Sequence, residues 1–194
     1  MRFFLATTFI QGASELDLVS LGIRAEDGRE FYRQNQECCF KEADAWVTEN
    51  ILSNLTHLDW FYDRGARAYK LAYSAVSPRA RFPWATRREI LQDLQRFIGD
   101  GPEFWSYRGS YDWVLLCLLF GSYASFPLRW PRYCFHLEQR CQEMGAPSLP
   151  EQPDGGARHH ALDRARWTHQ AWSLLDGYAK GRSAPSNCAL GNPS

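Results

Sequence analysis

The period of hydrophobic and polar positions changes along this chain, and each change predicts an element. Phe3 to Ile10 is a short, largely apolar run suited to a central strand covered on both faces. Leu16 to Ile23 alternates around Ser20 and passes Gly22 near its end, which predicts a second strand. Ala25 to Arg29 is a turn carrying an Asp-Gly pair, and Glu30 to Gln36 supplies the third strand of a meander. In Lys41 to Leu55 the residues Ala45, Val47, Ile51, Leu52 and Leu55 fall at near-helical spacing. Residues 56–83 mix Arg, Tyr and Pro without a clear period and predict an insertion or long loop. Thr86-Arg87-Arg88-Glu89 reads as a capping box, and Ile90, Leu91, Leu94, Phe97 and Ile98 continue a helical stripe that Gly99 to Gly101 break. Phe104 to Tyr107 predicts a fourth strand, and Tyr111 to Phe120 a strongly apolar helix ended by Gly121. Tyr133 to Phe135 predicts a short fifth strand, followed by a helix through Met144 that stops at Gly145. Pro147 to Ala157 is a Pro/Gly loop, a closing helix runs from about His160 to Tyr178, and residues 179–194 form a disordered tail. The order is that of an α/β protein with a mixed five-stranded sheet flanked by helices.

Composition narrows this picture. A chain of 194 residues is long enough for one domain with a substantial core, here residues 1–178. With 22 basic and 22 acidic side chains the net charge is zero, so any hold on nucleic acid rests on a local patch rather than a bulk field. The six cysteines (Cys38, Cys39, Cys117, Cys134, Cys141 and Cys188) include no C-x-x-C pair. Cys134, His136 and Cys141 lack a fourth ligand at zinc-like spacing. Reduced thiols in a cytoplasmic protein are the economical expectation. Met1 to Ile10 is too short and too polar for a signal peptide, and no apolar run reaches the roughly 18–20 residues that cross a bilayer, so no membrane partner is expected.

Three segments carry the chemistry: Met1 to Ile23, reading MRFFLATTFIQGASELDLVSLGI; Tyr111 to Gly121, reading YDWVLLCLLFG; and Arg158 to Trp167, reading RHHALDRARW. In this order and at these separations they resemble the DEDDh 3′–5′ exoribonucleases, in particular the small bacterial and phage group. The resemblance covers roughly residues 1–178 and is weakest in 56–83. It implies a ribonuclease H-like, DnaQ-like exonuclease fold and hydrolysis of RNA from a single-stranded 3′ end with Mg²⁺ or Mn²⁺. It also implies a homodimer or a heterodimer with an active homologue as further partners. The family opens on F-D-T-E-F-I where this chain has Leu5-Ala6-Thr7-Thr8-Phe9-Ile10. It closes on H-x-A-L-x-D-A where this chain has His159-His160-Ala161-Leu162-Asp163-Arg164-Ala165. By that match Asp112 is the surviving family acid and weak metal ligand, and His159 the general base. Ala6, Thr8 and Arg164 occupy the other three acidic positions.

Those replacements bear directly on activity. Two-metal hydrolysis holds its ions roughly 3.5–4 Å apart, one activating water and both stabilising the transition state. Such hard cations are held through carboxylate oxygens. Strand residues two apart share a face at about 6–7 Å, so D-x-E aims two carboxylates into one cleft. Ala6 offers no ligand, Thr8 one neutral oxygen, and Arg164 a fixed positive charge. Asp163 is rotated about 100° along a helix from the family position and needs a distortion to substitute. Asp17 and Glu15 are the other substitute ligands. Arg164 has two readings: pairing with Asp112 in place of metal charge, or holding a phosphate through two parallel hydrogen bonds. The expectation is a degenerate exoribonuclease, its fold retained as a binding or assembly module without efficient hydrolysis. The alternatives are an active enzyme using substitute ligands and a non-catalytic structural partner.

Overall fold

The structure is a computed structural model that describes residues 1–12, 15–55, 60–63, 68–71, 83–145 and 149–183. Its elements in chain order are β1 (Arg2–Gln11), β2 (Leu16–Ala25), β3 (Glu30–Asn35), α1 (Ala45–Asn50), β4 (Trp60–Asp63), β5 (Ala68–Leu71), β6 (Trp84–Ala85), α2 (Arg87–Ile98), β7 (Glu103–Ser106), α3 (Gly109–Leu119), β8 (Phe135–His136), α4 (Leu137–Glu143) and α5 (Ala161–Ser183). Short 3-10 turns precede and follow α1, and another at Gly155–His159 leads into α5.

The main sheet has the order β6-β3-β2-β1-β7-β8. β1, β2 and β3 form an antiparallel meander, while β7, β8 and β6 pair in parallel. This mixed α/β sheet with helices on both faces fits a ribonuclease H-like fold. Alternation along β1 sorts the core into layers. Phe3 and Leu5 pack with Ile90, Leu94 and Ile98 of α2 and Leu115 and Leu116 of α3. Phe4 turns the other way, onto Trp167, Ala171 and Leu175 of α5. The start of α5 lies directly on the sheet: a Cβ added at Gly22 would fall 2.4 Å from the Ala161 carbonyl carbon and from the Leu162 nitrogen. Ala6 pairs with Gly22 across the β1–β2 ladder, so two small residues side by side form the seat of α5.

Several expectations need correction. The sheet has six strands rather than five, because Trp84–Ala85 adds a parallel edge to β3 that two residues are too short to announce. Within 56–83, expected as an insertion or long loop, Trp60–Asp63 and Ala68–Leu71 pair as an antiparallel ladder, β4 with β5, in which Trp60, Phe61, Tyr62 and Tyr69 are of β-favouring type. The helix expected over 41–55 is broken, because the Asp44 side chain accepts the Val47 N–H at 2.7 Å and starts α1 afresh. The closing helix runs to Ser183, into the segment expected to be a tail, whose remainder lies outside the described residues. The five described cysteines are free thiols, and Cys188 lies outside the described residues. No helix among the described residues is long and apolar enough to cross a membrane.

Candidate functional site

The carboxyl end of β1 is where the sequence motifs meet. A β-bulge between Thr8 and Phe9 sets Ser20 opposite Thr8 and Leu18 opposite Phe9, bending the strand at the rim of a cleft. That cleft, about 350 Å³, is lined by Thr7, Thr8, Ile10 and Gln11 of β1, by Glu42, Asp44 and Trp46 around the start of α1, and by His159 and Arg164. A larger groove, about 530 Å³, lies at the far end of α5. Its Arg2 is already paired with Glu26 and Glu103, and none of Ala6, Thr8, Asp112, His159 and Arg164 lines it.

Asp112 sits in the first turn of α3 and is only 2% exposed. Its Oδ1 accepts the Thr7 N–H at 2.8 Å and the Thr7 hydroxyl at 2.6 Å, and its Oδ2 accepts the Ser106 hydroxyl. Thr7 is fully buried and points to the α2–α3 face, opposite to Ala6 and Thr8, so Asp112 approaches β1 from the face away from α5. The expected convergence is therefore incomplete. Thr8, His159 and Arg164 line one cleft, Ala6 lies buried under α5, and Asp112 stands behind Thr7.

Arg164 does not pair with Asp112. Its Nη1 donates to the Thr7 carbonyl oxygen at 2.8 Å, and it forms no ion pair with Asp112 or any other described carboxylate. Thr7 is thus held at both of its main-chain groups, its N–H by Asp112 and its C=O by Arg164. The Thr8 hydroxyl is bonded to Ser20 Oγ at 2.6 Å, and both groups are buried. His159 stands edge-on to Trp46 with ring centroids 5.2 Å apart. Burial, reinforced by the positive charges of Arg158 and Arg164, holds its pKa below the ordinary histidine value, which favours the neutral ring.

The acids considered as substitutes are engaged elsewhere. Asp163 pairs with Arg166 at 2.6 Å and lies 3.0 Å from His160 Nδ1, which it faces without hydrogen-bond alignment. Asp17 accepts the Cys39 N–H and pairs with Arg87, each at 2.6 Å. Glu15 is exposed before β2. Reading the sequence missed Glu42, Asp44 and Trp46. The one signal for them was Asp44 as a helix cap, which would have pushed the exposed Trp46 to the helix start. Thr7 was missed too, although period two alone puts it on the face opposite its neighbours.

A divalent metal needs several oxygen donors converging on one point. Ala6 has none, the Thr8 hydroxyl and both Asp112 oxygens are already bonded, and Arg164 brings positive charge to the same cleft. Among the described residues no group of three or more His, Cys, Asp and Glu is placed to hold a metal. The residues present do not fit a two-metal centre.

Residues 1–175 match the family described as the 3′-5′ exoribonuclease Rv2179c-like domain. Two proteins of Mycobacterium tuberculosis are each 32% identical to this chain over 170 residues, covering 86% of the chain and 88% of the relative. They are the 3′-5′ exoribonuclease Rv2179c of strain H37Rv and the 3′-5′ exoribonuclease MT2234.1 of strain CDC 1551.

Proposed function

The chain belongs to the Rv2179c-like 3′–5′ exoribonuclease family, and we propose that this member binds RNA 3′ ends with little or no hydrolysis. The observation that carries the reading is the double hold on Thr7. Where the DEDDh resemblance calls for acids that gather metal, Arg164 donates to the Thr7 carbonyl and Asp112 is turned inward onto the Thr7 N–H. Three acid positions read Ala6, Thr8 and Arg164, so the ligands that would stabilise an anionic transition state are missing. Each 1.4 kcal/mol or so lost there is about a tenfold loss in rate, and losing both metals costs several orders of magnitude.

What remains can still bind. His159 lines the cleft as a neutral ring, able to donate or accept one hydrogen bond but without an activated water to deprotonate. The exposed Trp46 ring offers a stacking surface for a base. Labelled single-stranded RNA mixed with Mn²⁺, scored together for binding and degradation, tests the reading: binding without turnover is expected. Turnover of about 1 s⁻¹ or faster, abolished by EDTA, would refute it. A second reading, a non-catalytic dimerisation partner, is favoured by one observation. Tyr111, Val114 and Leu118 leave an apolar face of α3 about half exposed, on a helix that is apolar nearly all round. Neither binding nor turnover of RNA would support that reading instead.

A further inference from the structure

Arg164 is the one Lys or Arg side chain lining the cleft among the described residues. It is half-buried, its single protein bond is to a neutral carbonyl, and no described carboxylate pairs with it. A guanidinium in that position is poorly solvated and only partly satisfied, and an anion in the cleft would complete it. We propose that the cleft binds a nucleotide through its terminal phosphate monoester, held by Arg164 without a divalent metal. This deepens, and rests on, the assignment of the cleft as the RNA-end site.

The donor geometry supports a phosphate. Nη1 is anchored on Thr7, which leaves the Nε–H and Nη2–H edge of the planar group as a fork for two parallel hydrogen bonds. The surroundings add positive potential, since the charges of Arg158 and Arg164 help to keep His159 unprotonated. A neutral imidazole N–H beside the guanidinium gives a third donor. The acids of the cleft lie on the α1 side. One oxygen of Asp44 is committed to the Val47 N–H, and Glu42 is exposed. The anion is thereby directed to the Arg164–His159 side.

Size and charge select a terminal phosphate. A cleft of about 350 Å³ stands at the lower end of ligand-pocket volumes and takes one nucleotide rather than a threaded chain. A monoester carries roughly −1.5 to −2 charges and three free oxygens, against one charge for a diester. Trp46, 54% exposed at the mouth, leaves a ring face for the base of that nucleotide.

The test is calorimetric titration in EDTA with adenosine 5′-monophosphate and with adenosine. It is paired with one RNA oligonucleotide bearing either a 3′-phosphate or a 3′-hydroxyl. The phosphorylated partner should bind roughly ten- to a hundredfold more tightly, the range of hydrogen bonds to a charged group. Adding Mg²⁺ should leave that preference unchanged, and Arg164→Met should erase it. A preference in the oligonucleotide pair identifies an RNA end as the source; a preference confined to the mononucleotide identifies a free nucleotide. Equal binding within both pairs, a preference that appears only with Mg²⁺, or one that survives Arg164→Met would overturn the proposal. The comparisons on the unmodified chain decide the matter even if Arg164→Met does not fold. RNA bound with no phosphate preference sinks this inference and leaves the RNA reading standing. Mononucleotide bound with no RNA bound does the reverse.

Discussion

Asp112 is the acid that the DEDDh resemblance matches to a family position, and its surroundings give it a structural task that can be separated from metal binding. Its carboxylate takes three hydrogen bonds at 2% exposure, two of them from Thr7 and one from Ser106. Asp112→Ala leaves the Thr7 N–H without a partner in a buried strand, together with two hydroxyls that must find new acceptors. Stranding one buried donor costs about 1–3 kcal/mol, and with the lost packing the total is about 3 kcal/mol. Asp112→Asn keeps the shape. Its carbonyl oxygen can accept both Thr7 donors, while its amide faces a Ser106 hydroxyl that can reverse to accept. Only the charge assistance is lost, about 1 kcal/mol. For a chain of this length each kcal/mol moves the melting temperature by roughly 2–4 °C, so Ala should lower it by about 6–12 °C and Asn by about 2–4 °C. The assay is thermal unfolding of the parent and both variants, in EDTA and in Mg²⁺. Asn and Ala falling equally would refute the hydrogen-bond account. So would Mg²⁺ raising the melting temperature of the parent alone, since that would make Asp112 a metal ligand.

Three further outcomes follow from the same geometry. Gly22→Ala drives a Cβ to 2.4 Å from backbone atoms of Ala161 and Leu162, and should cost about 1–3 kcal/mol as α5 is pushed off its seat; an unchanged melting temperature would contradict that packing. Arg166 first, with Arg24 adding to it, holds the Glu30 carboxyl at about 2 against an ordinary 4.5. Because the folded-state value is the depressed one, the stability from Glu30 is present above pH 4.5 and is lost as pH falls toward 2. Glu30→Gln should flatten that limb of an unfolding-versus-pH curve, and an unaltered limb would discount the pair. Ala6→Asp, Thr8→Glu and Arg164→Asp made together should lower stability without metal, raise it with Mg²⁺ or Mn²⁺, and restore RNA degradation. Each single change should restore little or no degradation, because groups that act as one unit are not additive. A folded triple variant that gains nothing from metal would show that the cleft geometry itself has changed.

The parts of the fold legible in the sequence are those fixed by local rules. The Thr86–Glu89 box forms as its spacing predicts, with Thr86 N–H donating to Glu89 at 2.8 Å and Glu89 N–H to the Thr86 hydroxyl at 3.1 Å. The β1–β3 meander follows from alternation and the Asp-Gly turn. The bulge after Thr8, the two-residue β6 and the break at Asp44 were not legible. Each exists because of a partner distant in sequence or of a single side-chain cap, and neither leaves a periodic trace. At the site, the meeting of Thr8, His159 and Arg164 in one cleft was legible, but their hydrogen bonds were not. The sequence offered Asp112 or a phosphate as partners for Arg164, whereas the protein partner is a main-chain carbonyl, and any residue type supplies one.

That choice of partner agrees with the replacements that the DEDDh resemblance implies. Four acids gathered at one strand end repel one another, and a cleft built from them relies on bound cations for neutrality. Here the same positions are satisfied without one. Ala6 fills the seat beside Gly22, Thr8 bonds Ser20, Arg164 closes the Thr7 carbonyl, and Asp112 closes the Thr7 amide and Ser106. Returning any one acid would disrupt one of these contacts before it could help to hold a metal. Aspartate at 6 would crowd the start of α5, glutamate at 8 would leave Ser20 beside a charge, and aspartate at 164 would free the Thr7 carbonyl and place a second negative charge near Asp112. Asp112 and Arg164 are coupled through the two main-chain groups of Thr7, so a change at either one alters the strand that the other holds.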